Sequence, residues 1–68
     1  MTIELNGERV EIGASATVAT AVAQLGADGE RRGVAVAVDG EVVPRSQWDR
    51  TQLADGQKVE IVGAIQGG

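Results

Sequence analysis

The sequence predicts an α+β fold in which one main helix packs on one face of a mixed sheet of four to five strands. Three observations lead to this prediction. Alternating apolar and polar residues flank the dipeptides Asn6-Gly7 and Asp39-Gly40, which favour two-residue hairpin turns. A segment between them has helical periodicity, and another alternating segment, 58–65, comes last. With 68 residues, the chain is the size of one domain.

The first predicted element is a hairpin over residues 2–12. Asn6-Gly7 supplies its turn, because both central residues of a type I′ turn need positive φ. Apolar residues alternate with polar ones on either side of this turn: Ile3, Leu5, Val10 and Ile12. The hairpin therefore has one apolar face that must be covered by a core.

The second predicted element is a helix. Its apolar residues occur at i, i+3, i+4 and i+7, which places them on one stripe: Val18, Ala21, Val22 and Leu25. Thr17 is the predicted N-cap and Gly26 the predicted C-terminal cap. A helix of about two and a half turns is too short to be stable alone, so we expect it to pack on the sheet.

A second hairpin follows, with its turn at Asp39-Gly40. Pro44 cannot donate a hydrogen bond to a sheet, so we expect the return strand to end there or to lie at an edge. The strand before the turn places alternate valines on one face: Val34, Val36 and Val38.

The remaining segment predicts an irregular or briefly helical connection over 45–53, a turn at Asp55-Gly56 and a last strand. Val59 and Ile61 face one side of that strand. Two apolar residues are the predicted anchors of the connection: Trp48 and Leu53. If the first and last strands pair in parallel, with a right-handed crossover through the helix, the result is the β-grasp or ubiquitin-like arrangement.

Composition excludes several classes of function. Ten acidic and six basic residues give a net charge of -4, which disfavours nucleic acid and anionic membranes as partners. Without Cys or His, the chain has no disulfide, zinc finger or imidazole base, and we expect no bound metal or cofactor and no enzymatic activity. Its start does not resemble a signal peptide, and no apolar run could span a membrane, so we expect a cytoplasmic protein.

The charged residues favour surface roles. We expect four strand carboxylates to form an outward-facing, solvated surface: Glu4, Glu11, Glu41 and Glu60. Arg31-Arg32 is a short basic spot that either meets an acidic partner or is simply solvated. Trp48 either belongs to the core or anchors an interface.

The Gly-Gly ending is a candidate site for a chemical reaction. We expect a flexible tail, 66–68, after a β-grasp domain over 1–65. Gln66 and Gly67 are the predicted residues that thread into a narrow channel, and the α-carboxylate of Gly68 is unhindered. An ionised carboxylate is a poor electrophile. It becomes reactive once a partner converts it to a mixed anhydride, for example with AMP.

A resemblance to a known family is carried by TIELNGERVEI, by ATVATAVAQLG and, most specifically, by VAVAV-x-GEVVPRS-x-W and the ending DG-x-x-VEIV…QGG. Through these stretches the whole chain resembles the ThiS family of sulfur carriers of thiamine biosynthesis. Asp39, where the family often has Asn, and Gly63, within the last strand, depart from the family pattern. Neither departure touches Gly67-Gly68.

The resemblance implies a β-grasp protein that acts as a cosubstrate and not as an enzyme. It implies that an E1-like adenylyltransferase uses ATP to adenylate Gly68, which is then converted to a thiocarboxylate. The sulfur would come from cysteine through a cysteine desulfurase. Thiazole synthase is the implied acceptor, which uses the sulfur to build thiazole phosphate.

The outward side of the last strand predicts a docking surface beside the tail. If Val59 and Ile61 are buried, the alternate positions of the strand are exposed next to the outward alanines of the preceding hairpin. We expect a shallow apolar strip that docks partner enzymes, with acidic residues steering their approach: Val62, Ala64, Ile65, Ala35 and Ala37.

Three alternatives stay open. A molybdopterin-synthase small subunit shares the fold, the Gly-Gly end and the thiocarboxylate chemistry. A ubiquitin-like modifier would instead form isopeptide bonds through Gly68. A non-catalytic ubiquitin-like interaction domain would leave Gly68 chemically inert.

Overall fold

A computed structural model describes residues 1–25 and 33–63 of the chain. Their elements are strands β1 (Thr2–Leu5) and β2 (Glu8–Glu11), helix α1 (Val18–Gln24), strands β3 (Val34–Val38) and β4 (Glu41–Val43), a 3-10 helix (Arg45–Gln47) and strand β5 (Lys58–Gly63). The strands form one sheet in the order β2-β1-β5-β3-β4. β5 pairs in parallel with β1 and antiparallel with β3. This is the predicted β-grasp arrangement, with five strands in the sheet.

Some predicted features lie outside the described residues. The expected cap at Gly26 and the basic pair Arg31-Arg32 are among them, as is the expected boundary between the domain, 1–65, and the tail, 66–68. The description of the last strand therefore stops at Gly63.

Both hairpins turn as the sequence predicts. Asn6 and Asp39 each have a φ of 50°, and the glycines that follow them, Gly7 and Gly40, each have a φ of 86°. Two residues with positive φ in succession are the requirement of a type I′ turn, which matches the right-handed twist of the flanking strands. The two turns therefore fix the register of β1 with β2 and of β3 with β4.

The helix begins at a reciprocal cap. Thr17 Oγ1 accepts a hydrogen bond from the backbone N–H of Thr20 at 3.4 Å, and Thr20 Oγ1 accepts one from the backbone N–H of Thr17 at 3.1 Å. Thr20 thus takes the place that Glu or Gln usually has in a capping box.

Within the described ranges, no helix is long and apolar enough to cross a bilayer.

The predicted stripe of the helix is confirmed except at its end. Val18, Ala21 and Val22 are completely buried, but Leu25 is 44% exposed. The prediction for Leu25 was wrong because α1 ends at Gln24, so Leu25 lies at the C-cap rather than within the helix. A periodic pattern does not by itself fix where a helix ends.

Helix α1 and the 3-10 segment cover one face of the sheet. Trp48 is 1% exposed, and its Nε1 donates a hydrogen bond to the carbonyl oxygen of Val43 at 2.9 Å. Trp48 is therefore a core residue and not an exposed interface anchor. Pro44 directly follows β4, the edge strand, as its missing N–H requires. Other core residues come from every part of the described chain: Ile3, Leu5, Ile12, Ala16, Val36, Val38, Leu53, Val59 and Ile61.

We predict that Trp48→Phe lowers the free energy of unfolding by about 1–3 kcal/mol, because the smaller ring leaves a void and the Val43 carbonyl loses its donor. Denaturant unfolding followed by far-UV circular dichroism measures this, since the variant has no tryptophan fluorescence. Val42→Ala is the control, because Val42 is 75% exposed on β4. Equal losses in the two variants would contradict the core role of Trp48.

Candidate functional site

The predicted tail follows the central strand of the sheet. β5 has β1 on one side and β3 on the other, and its last two described residues are Val62 and Gly63. The predicted threading and activation residues lie outside the described residues: Gln66, Gly67 and Gly68. The described part of the candidate site is therefore the end of β5 and the sheet face beside it.

An apolar strip lies on the sheet face opposite the helix. Val62 is paired with Ala35, and Ala37 is paired with Val42 across the second hairpin. Residues directly opposite each other in an antiparallel pair project from the same face. We call these four residues the outer strip. Val62 is 61% and Val42 75% exposed, whereas Val59, on the helix side of β5, is fully buried.

The outer strip contains all three described residues of the predicted docking surface, whose docking role stays a prediction. Val62 and Ala35 are exposed and adjacent, and Ala37 is half-buried in the next row. Ala64 and Ile65, which were also predicted, lie outside the described residues.

Val42 is the member of the strip that sequence reasoning missed. The signal was present, because a two-residue turn at Asp39-Gly40 pairs Ala37 with Val42.

Charged residues border the strip on one side. Glu60 pairs with Ala37, so it extends the row that contains Val42. The next row across the sheet alternates in charge, because Glu4 lies between Lys58 and Arg9. Among these, Glu60 is the carboxylate in the same row as the apolar side chains, and it is exposed.

The prediction of four outward carboxylates needs one correction. Glu11 and Glu60 are exposed on the outward face, and Glu4 is half-buried there. Glu41, however, is paired with Val38, whose side chain is in the core. Glu41 therefore lies on the helix side of the sheet, where it is exposed because β4 is an edge strand.

Side chains from the two hairpin turns hold β5 at its first residue, Lys58, and at Ile61. Ile61 donates its backbone N–H to Asn6 Oδ1 at 2.7 Å, and Asn6 Nδ2 donates to the Ile61 carbonyl oxygen at 3.1 Å. At the start of the strand, Lys58 donates its backbone N–H to Asp39 Oδ1 at 3.1 Å. The sequence marks Asn6 and Asp39 as turn residues but does not show these contacts, because the partners are far away along the chain.

A shallow depression of about 370 Å³ lies at the opposite end of β5 from Gly63, lined by Thr2, Ile3, Glu4, Arg9, Asp55 and Gly56. Residues 1–25 and 33–63 contain no group of three or more side chains that could hold a metal ion.

Comparison with known proteins decides the family. A model of the ThiS family matches residues 2–68. The chain belongs to the ThiS family. It is 32% identical over 68 residues to the sulfur carrier protein ThiS of Escherichia coli strain K12, and the match covers 100% of both chains.

Two further relatives of this ThiS-family chain are informative. It is 41% identical over 68 residues to a thiazole synthase of Paramagnetospirillum magneticum, but it spans 20% of the length of that protein. Among solved structures, it is similar to the thiamine biosynthesis protein ThiS from Geobacter metallireducens, with a TM-score of 0.81, 28% identity and 100% of both chains covered. The β-grasp fold is therefore the fold of the family.

We predict that Val62→Asp changes the free energy of unfolding by less than about 1 kcal/mol, because the new carboxylate on the outer strip stays in water. Val59→Asp is the control on the same strand, and we expect it to unfold the domain because it buries an unpaired charge. Denaturant unfolding and amide NMR spectra measure both. Unfolding by Val62→Asp would mean that the strip is part of the core.

Proposed function

We propose that this protein is a sulfur carrier of thiamine biosynthesis that delivers sulfur to thiazole synthase from a thiocarboxylate at Gly68. The observation that carries the proposal is the match to the ThiS family over residues 2–68. The full-length similarity to the E. coli sulfur carrier supports the carrier role. The similarity to a thiazole synthase supports the choice of acceptor.

The chemistry explains why two glycines are needed. The Gly68 carboxylate attacks the α-phosphorus of ATP and displaces pyrophosphate, which gives an acyl-adenylate. A sulfur nucleophile then attacks the acyl carbon, and AMP leaves. Gly67 and Gly68 have no Cβ, so the tail can enter a narrow active site, where ATP can approach the carboxylate oxygen and the sulfur nucleophile can approach the acyl carbon.

The carrier itself is a cosubstrate and not an enzyme in this scheme. An E1-like adenylyltransferase binds the ATP and supplies the catalytic groups, and the carrier holds no cofactor of its own. A cysteine desulfurase is the indirect source of sulfur. We place the cycle in the cytoplasm, where ATP is available to the adenylyltransferase.

We propose that the outer strip is the surface that docks these enzymes. The strip lies beside the strand that leads to the tail, so a partner that covers it also receives the tail. Val42 and Val62 supply exposed apolar area, and Glu60 supplies a negative charge next to them. A complementary partner surface is therefore apolar, with a Lys or Arg opposite Glu60.

We predict that incubation with an adenylyltransferase of this family, ATP and a sulfur donor increases the intact mass by the difference between sulfur and oxygen, at Gly68. A variant that lacks Gly67 and Gly68 is the control and should gain no mass. A conjugate to a lysine of another protein would indicate a modifier. An unchanged mass would indicate an interaction domain. Transfer of the sulfur to a molybdopterin precursor, instead of its use by thiazole synthase, would favour the molybdopterin alternative.

We predict that Val62→Asp weakens binding to the adenylyltransferase by about tenfold or more, because it places a charge in the apolar contact. Surface plasmon resonance or calorimetry measures the affinity. Gln24→Glu is the control: it adds the same charge at an exposed position on α1, on the far side of the sheet from the strip. Unchanged binding by Val62→Asp, or an equal loss with Gln24→Glu, would contradict docking at the strip.

A further inference from the structure

The Asn6 side chain forms hydrogen bonds to β5 at Ile61, beyond the point where β1 ends. The parallel pairing of β1 with β5 ends with Leu5 opposite Val59, and the Asn6 N–H then donates to the Val59 carbonyl oxygen at 2.9 Å. At Gly7 the chain turns away from β5. The Asn6 amide occupies the next position on this edge, where it accepts from Ile61 N–H and donates to the Ile61 carbonyl oxygen, so both backbone polar groups of Ile61 are paired.

After the residue that Asn6 contacts, β5 is held by a neighbouring strand on one edge only, the edge that faces β3. Ile61 pairs with Val36 of β3 on one side and with the Asn6 amide on the other. Val62 and Gly63 continue to pair with β3. In the part of the chain that the structure describes, Ile61 is thus the last residue of β5 that is fixed from both sides, seven residues before Gly68.

We propose that Asn6 is a positioning residue for the reaction at Gly68, because its amide fixes the start of the segment that a partner enzyme must receive. This inference rests on the proposed carrier function. Without the Asn6 contact, the last three residues of β5 are held by β3 alone. A strand end that is held on one edge fluctuates more than one held on both, which increases the ordering that each reaction requires.

The second hairpin provides a matched control. Asp39 has the same φ as Asn6, also precedes a glycine in its turn, and also accepts a hydrogen bond from a backbone N–H of β5. Its carboxylate, however, accepts from Lys58 N–H and from Gln57 Nε2, at the opposite end of β5 from Gly63. Asn6→Gly and Asp39→Gly both keep a turn that tolerates positive φ and both remove a side-chain contact to β5, but at opposite ends.

The test combines amide hydrogen exchange in the free protein with steady-state adenylation of Gly68 by the adenylyltransferase. For Asn6→Gly we expect exchange at Ile61 N–H to be at least tenfold faster. We expect kcat for adenylation to fall about three- to tenfold with KM unchanged, because the outer strip still docks. Asn6→Asp keeps an acceptor for Ile61 N–H but loses the donor, so it should be intermediate.

Asp39→Gly should leave kcat and exchange at Ile61 unchanged while it accelerates exchange at Lys58 N–H. The proposal is overturned if Asn6→Gly leaves Ile61 exchange or kcat unchanged, or if Asp39→Gly reduces kcat equally, which would indicate general destabilisation. Failure of the proposed function looks different, because then the unsubstituted protein is not adenylated at all. In that case the positioning role at Gly68 falls with it.

Discussion

The parallel pairing of β1 with β5 is the interaction on which the rest of the structure depends. Glu4 and Leu5 lie opposite Lys58 and Val59, which joins segments from the two ends of the sequence in the middle of one sheet. Parallel neighbours need a long crossover connection, and here that connection contains α1 and the second hairpin. The helix can therefore cover one face of the sheet, and β3 can pair with the free edge of β5.

The same pairing separates a buried face from a face that is free to meet a partner. Along β5, Val59 and Ile61 face the helix and are buried, whereas Glu60 and Val62 project from the opposite face of the sheet. A domain of this size buries only ~60% of the surface that its unfolded chain exposes, so little volume is left for an enclosed reaction site. A chemical role for such a domain is best served by a group outside the core and an apolar surface to orient it.

How far the sequence predicts this structure depends on how local each feature is. The turns at Asn6 and Asp39, the cap at Thr17 and the alternation of β5 follow from neighbouring residues, and all are confirmed. The position of Val42 beside Ala37 was also derivable, because a two-residue turn fixes the register. The Asn6 contact with Ile61 was not, since 55 residues separate the two and no local pattern carries it.

In the proposed function, the carrier passes between enzymes and must present Gly68 in a constant relation to the surface that each enzyme binds. Strand β5 belongs both to that surface and to the segment that leads to Gly68, because Val62 is part of the outer strip and the sequence continues from Gly63 to Gly68. Under this proposal, a rigid β5 leaves more of the docking energy available to orient Gly68, since ordering a strand that fluctuates costs entropy. In the proposed scheme Gly67 and Gly68 give access because they have no Cβ, whereas the strand before them needs fixed partners on both edges, and Asn6 supplies the last of those on the β1 side within the described chain.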